Sequence, residues 1–385
     1  MQQALSSKHL QVFQRLVAST ALLCFALIMI GAWVRLTDAG LGCPDWPGCY
    51  GKLTPIQAKA EIAAAVAEQG GEHGPVSLGK AWREMIHRYI AAGLGLLILL
   101  ISALAWRWRQ ELGQSPLLAA ATLGVVILQG LFGMWTVTLL LKPAIVTIHL
   151  LGGLLSFSLL FWLWLRTRQS HRETSGEARR PETIRGASAS HSESLLAHRV
   201  LPALRTLGAV AILVVAAQIA LGGWTSTNYA ALACPDFPSC QGSWWPAVNF
   251  ADAFHVIREL GKTSQGDAID LPALTAIHLS HRLGAVVVLL VVGLLGWRCL
   301  KLPSLKTSGA LLLGMLLAQW GLGISNVVFH LPLWVAVAHT GGAVVLLALV
   351  LLINFGLATE AARLQADKSP SAVLTAMRKS PGAIG

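Results

Sequence analysis

Residues 31–51 read GAWVRLTDAGLGCPDWPGCYG, and residues 222–242 read GGWTSTNYAALACPDFPSCQG. The two segments align without a gap, and both contain the pattern Cys-Pro-Asp-aromatic-Pro-x-Cys. More pairs follow further along the chain: His87-Arg88 with His281-Arg282, Gln129 with Gln319, Gly133 with Gly323, His149 with His339, and Gly152 with Gly342. Internal self-similarity of this kind predicts that one structural unit occurs twice.

Each unit contains four long apolar segments. The chain of 385 residues is 55% hydrophobic and only 12% charged, whereas a soluble domain is about a quarter charged. Runs long enough to cross about 30 Å of hydrocarbon occupy residues 13–34, 84–106, 117–138, 145–165, 201–224, 275–297, 308–329 and 334–356. They are continuous and lack the alternation of a β-barrel. We therefore predict an all-α integral membrane protein with eight transmembrane helices, arranged as two tandem pseudo-symmetric four-helix bundles.

The repeat also predicts the domain boundaries. We expect an N-terminal half at 1–165, a flexible polar linker at 166–198, a C-terminal half at 199–360 and a tail at 361–385. Because each half has an even number of helices, the halves should be parallel and related by an axis along the membrane normal. The first apolar run is too long for a signal peptide and lacks a clear cleavage site, so we expect it to be retained.

The formal net charge of +11 reflects membrane topology. If the eight helices are threaded in order, the basic clusters share one side: Lys8, Arg15, Arg107, Arg109, the stretch from Arg166 to Arg185, Arg298, Lys301, Lys306, Arg363, Lys368, Arg378 and Lys379. The positive-inside rule makes this side cytoplasmic and places both termini there. A membrane and its lipids therefore explain the charge, and no nucleic-acid partner is predicted.

Four histidines lie just inside the outer ends of the second, fourth, sixth and eighth predicted helices: His87, His149, His281 and His339. In each half, two imidazoles at equal depth on neighbouring helices can clamp a flat cofactor. Imidazole is a common axial ligand of heme iron, and ionisable groups inside a membrane are usually functional. Gly152-Gly153 and Gly341-Gly342 follow two of the histidines and would let a porphyrin approach the backbone closely.

Other interpretations of these residues stay open. Each histidine could instead make an interhelical hydrogen bond or reach the membrane interface. Zinc is less favoured, because no carboxylate or third histidine completes a tetrahedral set at that depth. Arg88 and Arg282 can bind heme propionates, since guanidinium recognises carboxylate well, or they can anchor their helices at the interface.

Glu84 marks a difference between the halves. It stands three residues before His87 and shares its helix face, whereas the second half has His278 at that position. A carboxylate beside one heme only would give the hemes unequal roles, because such a group can move protons. An unpaired carboxylate in an apolar pocket would also tend to hold its proton. The alternative is a structural pair between Glu84 and Arg88 at the interface.

Four of the six cysteines form C-x5-C pairs in outer loops: Cys43 with Cys49, and Cys234 with Cys240. An oxidising compartment favours two local disulfides. Metal binding is less favoured, because the spacing differs from that of common zinc sites. Cys24 and Cys299 lie in apolar helices and are expected to be packing residues.

From about residue 13 to residue 357, the sequence resembles the heme A synthase family. The motifs are Gly40-Leu41-Gly42-Cys43-Pro44-Asp45-Trp46-Pro47 with Cys49, Glu84-x-x-His87-Arg88, His149 with Gly152-Gly153, His281-Arg282, and His339 with Gly341-Gly342. The two cysteine pairs resemble the cysteine-containing bacterial members. The chain departs from the family in a long linker at 166–198 and a long outer loop at 243–274.

The resemblance implies a membrane oxidoreductase that oxidises one methyl group of heme O to a formyl group by successive hydroxylations. Its product would be heme A for cytochrome c oxidase. By resemblance, the substrate heme binds near His87 and His149, Glu84 is catalytic, and His281 and His339 hold a heme b cofactor.

The resemblance also implies a place in the bacterial inner membrane, with the hemes near the periplasmic face. Molecular oxygen or water would be the oxygen source. A heme O synthase could hand over the apolar substrate directly, and an electron donor is required whose identity the residues do not show.

Two other classes of function were weighed. A di-heme cytochrome b that only carries electrons would explain the histidines, but it would explain neither Glu84 nor the Cys-Pro-Asp loops. It would also tend to stack its hemes at opposite faces of the membrane. A transporter would explain the tandem repeat, but it needs discontinuous helices and a midplane site, for which the sequence has no Gly/Pro break.

Overall fold

The computed structural model describes residues 2–69, 71, 74, 76–174 and 187–366. Within these ranges the chain is mainly helical, with long loops after α1 and α7 and no extended strand. The helices are α1 (Gln2–Leu36), α2 (Lys59–Glu68), α3 (Leu78–Arg107), α4 (Arg109–Leu112), α5 (Leu117–Thr138), α6 (Pro143–Thr174), α7 (Ala187–Thr227), α8 (Phe250–Ala253), α9 (Leu271–Leu300), α10 (Lys306–Val328) and α11 (Leu333–Ala366). A short 3₁₀ turn, Ala230–Leu232, follows α7.

Eight of the described helices are long and apolar enough to cross a membrane: α1, α3, α5, α6, α7, α9, α10 and α11. This finding confirms the prediction of an all-α membrane protein with eight spanning helices. Helix α6 continues to Thr174 and α7 begins at Ala187, so helices enter both ends of the stretch predicted as a linker. Residues 175–186 lie outside the described residues, as does most of the predicted tail beyond Ala366.

The helices of each half pack in a ring of four. In the first half the contacts run from α1 to α3, α5, α6 and back to α1, and in the second from α7 to α9, α10, α11 and back to α7. The halves meet where α1 contacts α11 and where α6 contacts α7 and α11. The repeat pairs α1 with α7 and α6 with α11. The contact of α1 with α11 is then equivalent to the contact of α7 with α6, which is consistent with tandem pseudo-symmetric bundles.

A buried apolar core runs through both halves and across their interface. Its fully buried side chains include Phe13, Ile98, Leu160, Leu295 and Leu357. Smaller apolar clusters lie under the outer loops, one around Cys43, Cys49 and Met85 and the other around Trp224 and Ile277. The outer ends of the bundles are therefore packed against loop residues, and these ends carry the histidines.

The two outer loops with cysteines have the same local structure. Cys43 is bonded to Cys49 and Cys234 to Cys240, and each second cysteine pairs with the residue three positions later in a short β-bridge. The turn between them is Tyr50-Gly51 in one loop and Gln241-Gly242 in the other, all at positive φ. Two consecutive residues in the left-handed region make a tight turn in which glycine is favoured at the second position.

A partly exposed aspartate holds each of these turns by accepting hydrogen bonds from its backbone. Asp45 accepts backbone N–H groups from Tyr50 at 2.5 Å and Gly51 at 2.8 Å. Asp236 accepts the equivalent groups from Gln241 and Gly242. The Ser239 hydroxyl and these two amides donate hydrogen bonds to the Asp236 carboxylate. They lower the pKa of this carboxyl group to about 2. The shared aspartate thus explains why Cys-Pro-Asp recurs in both halves.

Candidate functional site

The four predicted histidines lie on α3, α6, α9 and α11. Helices α3 and α6 both contact α1 and α5, so they stand across the first ring from one another, and α9 and α11 stand across the second ring in the same way. Our expectation that each pair lies on neighbouring helices is therefore wrong. In each half the two imidazoles are still close enough to interact electrostatically, which places both at the same end of their bundle.

A glycine on the adjacent helix lies against each imidazole. A Cβ atom at these glycines would stand close to Cε1 of the ring: Gly31 to His87 at 3.1 Å, Gly133 to His149 at 3.3 Å, Gly222 to His281 at 3.0 Å and Gly323 to His339 at 3.2 Å. Such distances are tighter than ordinary van der Waals contact. The absence of a side chain at four equivalent places therefore allows the Cε1 edge of each ring to lie close to the neighbouring helix.

Two other glycine pairs have a different role from the one expected. At Gly152 and Gly342 the space that a Cβ would fill is taken by the side-chain amides of Gln129 and Gln319. These amides donate to the backbone carbonyls of His149 at 2.7 Å and His339 at 2.9 Å. The expectation that these glycines open the backbone to a porphyrin is wrong, because they accommodate the glutamines that hold the histidine-bearing helices.

The chemistry of the ring edges fits heme ligation. Nδ1 of His87, His149 and His339 is buried and has no hydrogen-bond partner, and Cε1 of each ring faces a glycine. The rings are nevertheless only partly covered, so their accessible edge is the one that carries Nε2. Within the described residues no hydrogen bond occupies Nε2 of the four histidines. Each pair of rings therefore presents two free donor atoms suited to axial coordination of heme iron.

A tetrahedral metal site does not fit. Among the described residues, no group of three or more histidine, cysteine, aspartate or glutamate side chains is arranged to hold a metal ion. The cysteines of the outer loops are joined as disulfides, and Cys24 and Cys299 are buried in helices. Among the described residues, the candidate metal donors brought together in each half are thus the two imidazoles.

Glu84 is buried in a different environment from the one predicted. It is 4% exposed, its Oε1 lies 2.5 Å from Nη2 of Arg88, and its Oε2 accepts the backbone N–H of Cys43 at 2.9 Å. The expectation of an unpaired carboxylate is therefore wrong, whereas the alternative of a pair between Glu84 and Arg88 is confirmed, with the carboxylate buried. The buried pair joins α3 to the first disulfide loop, and the catalytic role of Glu84 stays a prediction.

His278 occupies the same place in the second half. It is 4% exposed, its Nδ1 lies 3.2 Å from the backbone N–H of Cys234, and its Nε2 lies 3.3 Å from Nε of Arg282. A carboxylate offers two acceptor oxygens, whereas a neutral imidazole offers one acceptor nitrogen. The two halves thus match in shape at this position but differ in charge and in the number of donors that they can satisfy.

Arg88 and Arg282 bind the backbone of the disulfide loops. Their guanidinium groups donate to loop carbonyls: Asp45 at 2.8 Å and Gly48 at 2.6 Å for Arg88, and Ser239 at 2.8 Å, Cys234 at 2.9 Å and Asp236 at 2.8 Å for Arg282. The arginines that follow His87 and His281 therefore each fix a loop over the outer end of their bundle. The binding of propionates by these arginines stays a prediction.

Two residues near the sites escaped the sequence analysis. Gln218 on α7 approaches the ring and the carbonyl of His281, and Arg35 on α1 donates to the carbonyl of Ser226 in the other half. Neither position repeats between the halves, since Leu27 matches Gln218 and Ser226 itself matches Arg35 in the gap-free alignment. Comparing the halves for differences as well as identities would have singled out both.

Comparisons with known proteins agree over most of the chain. The COX15-CtaA family model, described as a cytochrome oxidase assembly protein, matches residues 14–351. The heme A synthase of Shewanella oneidensis is 41% identical over 340 residues, which cover 88% of this chain and 95% of that protein. The heme A synthase of Paramagnetospirillum magneticum is 28% identical over 355 residues. Heme A synthase COX15 of Arabidopsis thaliana is 25% identical over 358 residues, covering 71% of that protein.

Proposed function

This chain belongs to the COX15-CtaA family of cytochrome oxidase assembly proteins, and we propose that it converts heme O to heme A with one heme in each half. It is a multi-pass membrane protein and an enzyme of heme A biosynthesis. The overall change is oxidation of one porphyrin methyl group to a formyl group. Two hydroxylations of the same carbon give a geminal diol, and loss of water from the diol gives the formyl group.

The two histidine pairs bind different hemes. His87 and His149 bind the substrate heme across the first bundle, and the glycines beside their rings set the plane in which the imidazoles lie. His281 and His339 hold heme b across the second bundle. When bound there, heme b supplies one-electron transfer. The helix-to-helix packing excludes water from both sites, since the core around them is apolar.

Glu84 gives the first half its distinct chemistry. It lies one turn from His87 on α3 and holds a carboxylate where the second half has the imidazole of His278. We assign to Glu84 the proton transfers that accompany oxidation of the methyl group, with Arg88 balancing its charge. Protons taken up and released by a positioned carboxylate are a common form of general acid–base catalysis.

The observation that carries this proposal is the duplicated pair of imidazoles with free Nε2 edges, combined with a single carboxylate that only one half has. A di-heme cytochrome b electron carrier would need the two pairs of imidazoles but would not need the carboxylate. The 41% identity to a heme A synthase over nearly its whole length also favours synthesis over electron transfer alone.

Extraction and identification of the hemes in the purified protein test the proposal. Heme b together with heme O or heme A supports the synthase, and heme b alone at two per chain supports the electron carrier.

The His281→Ala and His339→Ala variants should lose the tightly bound low-spin heme b. An unchanged heme b spectrum in both variants would show that the assignment of the cofactor to the second half is wrong.

The surroundings of the enzyme follow from its topology and substrate. We propose that the chain lies in the bacterial inner membrane with both termini in the cytoplasm, because the basic residues collect on that side. The histidines would then lie near the periplasmic face. Heme O is apolar, which favours direct transfer from a heme O synthase, and the oxygen atom would come from molecular oxygen or water. With molecular oxygen, each hydroxylation consumes two electrons from a donor and two protons and releases one water. With water as the source, each hydroxylation instead delivers two electrons to an acceptor and releases two protons.

A further inference from the structure

Gln218 distinguishes the two heme sites at the level of the imidazole ring. Its Nε2 lies 3.1 Å from Nδ1 of His281 and 2.9 Å from the His281 carbonyl oxygen. The amide fills a slot above Gly284, where a Cβ would stand 2.1 Å from Oε1 of Gln218. Among the four ligand histidines of the described chain, His281 is the one whose ring nitrogen contacts a protein side chain.

The first half has no equivalent of this contact. The alignment that pairs Gly31 with Gly222 places Leu27 opposite Gln218, and the spacing from the histidines places Ile90 opposite Gly284. Leu27 belongs to the buried apolar core, and Ile90 is partly buried against that core. The first half therefore has hydrocarbon side chains at both positions, and Nδ1 of His87 is left without a partner.

The other two glutamines near the histidines make a different contact. Gln129 and Gln319 donate to the backbone carbonyls of His149 and His339, while Nδ1 of both rings has no partner. These amides hold the helix backbone and leave Nδ1 of each imidazole without a hydrogen bond. Within the described part of the chain, Gln218 is thus the residue whose hydrogen bond reaches the ring of a ligand histidine.

We propose that Gln218 is a positioning residue that orients the His281 imidazole and thereby retains heme b in the second half, whereas Leu27 leaves His87 able to release the converted heme. This inference rests on the proposed function. A histidine that binds iron through Nε2 carries its proton on Nδ1, and donating that proton to an acceptor fixes the ring orientation and strengthens the ligand. The Gln218 amide has both a donor and an acceptor, and turning it over presents Oε1, which has no partner in the structure, to the Nδ1–H group. A leucine cannot accept this proton.

The difference matches the different needs of the two hemes. A cofactor must stay through many turnovers, so a pre-oriented ligand is favourable because less freedom is lost on binding. A substrate must enter and its product must leave, so a ligand that can turn away lowers the barrier to exchange. The side chain of Gln218 is therefore enough to make the second half retain its heme and the first half exchange its heme.

Transfer of heme b from the purified holoenzyme to excess apomyoglobin, followed by absorbance, tests the inference. The variant Gln218→Leu introduces the residue of the first half, and Gln218→Met keeps the volume of glutamine in case leucine disturbs folding. We expect both variants to lose heme b about 10–100-fold faster than the wild type. We also expect a shifted low-spin electron paramagnetic resonance signal, because the angle between the two imidazole planes changes. Gln129→Leu, which removes an amide-to-carbonyl contact in the first half, should leave both readouts at wild-type values.

Wild-type transfer rates and resonance signals in both Gln218 variants would overturn the inference. The His281→Ala variant separates this outcome from a failure of the proposed function. If His281→Ala retains heme b at the wild-type level, the ligand assignment itself is wrong. If His281→Ala loses heme b while the Gln218 variants keep it normally, only the role of Gln218 is wrong.

Discussion

Gly222 is a residue at which the packing of a ligand histidine can be changed without altering any polar group. A Cβ atom there would stand 3.0 Å from Cε1 of His281, so the Gly222→Ala variant must displace the ring. We expect it to retain less heme b after purification, measured as the ratio of heme b to protein. Gly314→Ala is the control, because a Cβ there meets nothing within 4 Å and alanine favours the helix. Equal heme b content in both variants would contradict the assigned role of the glycine.

Glu84→Gln tests the carboxylate in the first half. Glutamine keeps the size and one acceptor, but it loses the charge opposite Arg88 and the titratable proton. We expect the variant to keep heme b on His281 and His339, to lower the yield of heme A at least about tenfold, and to accumulate heme O or a hydroxylated intermediate. Extraction of the hemes and chromatography measure all three. His278→Gln, at the equivalent position, should leave the yield near the wild-type value.

A wild-type yield of heme A from Glu84→Gln would leave Glu84 a structural residue that joins α3 to the disulfide loop. Loss of heme b from this variant would instead indicate general unfolding, because an arginine buried without its partner costs about 3–5 kcal/mol. The heme b content therefore decides whether the yield can be interpreted.

The disulfide loops are elements held from outside by one arginine each. Arg282 donates to the carbonyls of Ser239, Cys234 and Asp236, which a lysine cannot do because it lacks the planar fork of donors. In Arg282→Lys we expect dithiothreitol to reduce the Cys234–Cys240 disulfide several-fold faster, measured by alkylation and mass spectrometry. The Cys43–Cys49 disulfide, which Arg88 holds in the same molecule, is the internal control. Equal acceleration of both disulfides would contradict this prediction.

The elements show what the sequence could predict. The eight helices were predictable because continuous apolar runs of membrane length leave one solution in lipid. The four histidines were recognisable because they recur at matched places in both halves. The pairing of Glu84 with Arg88 was foreseen as an alternative, but its second partner was not predictable, since the backbone N–H of Cys43 comes from a loop 41 residues away. The diagonal placement of the histidines depends on how four helices close into a ring, which spacing along the chain does not encode.

At the scale of the whole molecule, the two halves meet through residues that occupy equivalent positions in the repeat. Arg35 matches Ser226 and Asp38 matches Tyr229 in the gap-free alignment. Arg35 donates to the carbonyl of Ser226 at 2.7 Å, and the Tyr229 hydroxyl donates to Asp38 at 2.7 Å. Equivalent residues can touch only near the axis that relates the halves. The repeat has thus diverged at this place to make complementary contacts between α1 and the end of α7.

Arg35 should therefore stabilise the association of the two halves. Its guanidinium also lies 4.1 Å from the centre of the Tyr229 ring and 3.3 Å from Asp38. Burial raises the pKa of the Tyr229 hydroxyl, so the hydroxyl stays protonated and keeps donating to Asp38 at neutral pH. Hydrogen bonds to charged groups contribute about 1.5–3 kcal/mol each, and one kcal/mol corresponds to about 2–4 °C in a domain of this size.

In Arg35→Met we accordingly expect the thermal unfolding midpoint in detergent to fall by about 3–10 °C. Tyr229→Phe should have a smaller effect, because it removes the hydrogen bond to Asp38 but keeps the ring beneath the guanidinium. Arg15→Met is the matched control, since Arg15 is an exposed residue of the same helix and its loss should leave the midpoint nearly unchanged. Equal unfolding temperatures for Arg35→Met and Arg15→Met would contradict this prediction. The apolar contacts of α1 with α11 and of α6 with α7 would then suffice to hold the halves together. The hydrogen bonds of Arg35 with Ser226 and of Tyr229 with Asp38 would serve only to orient the helix ends.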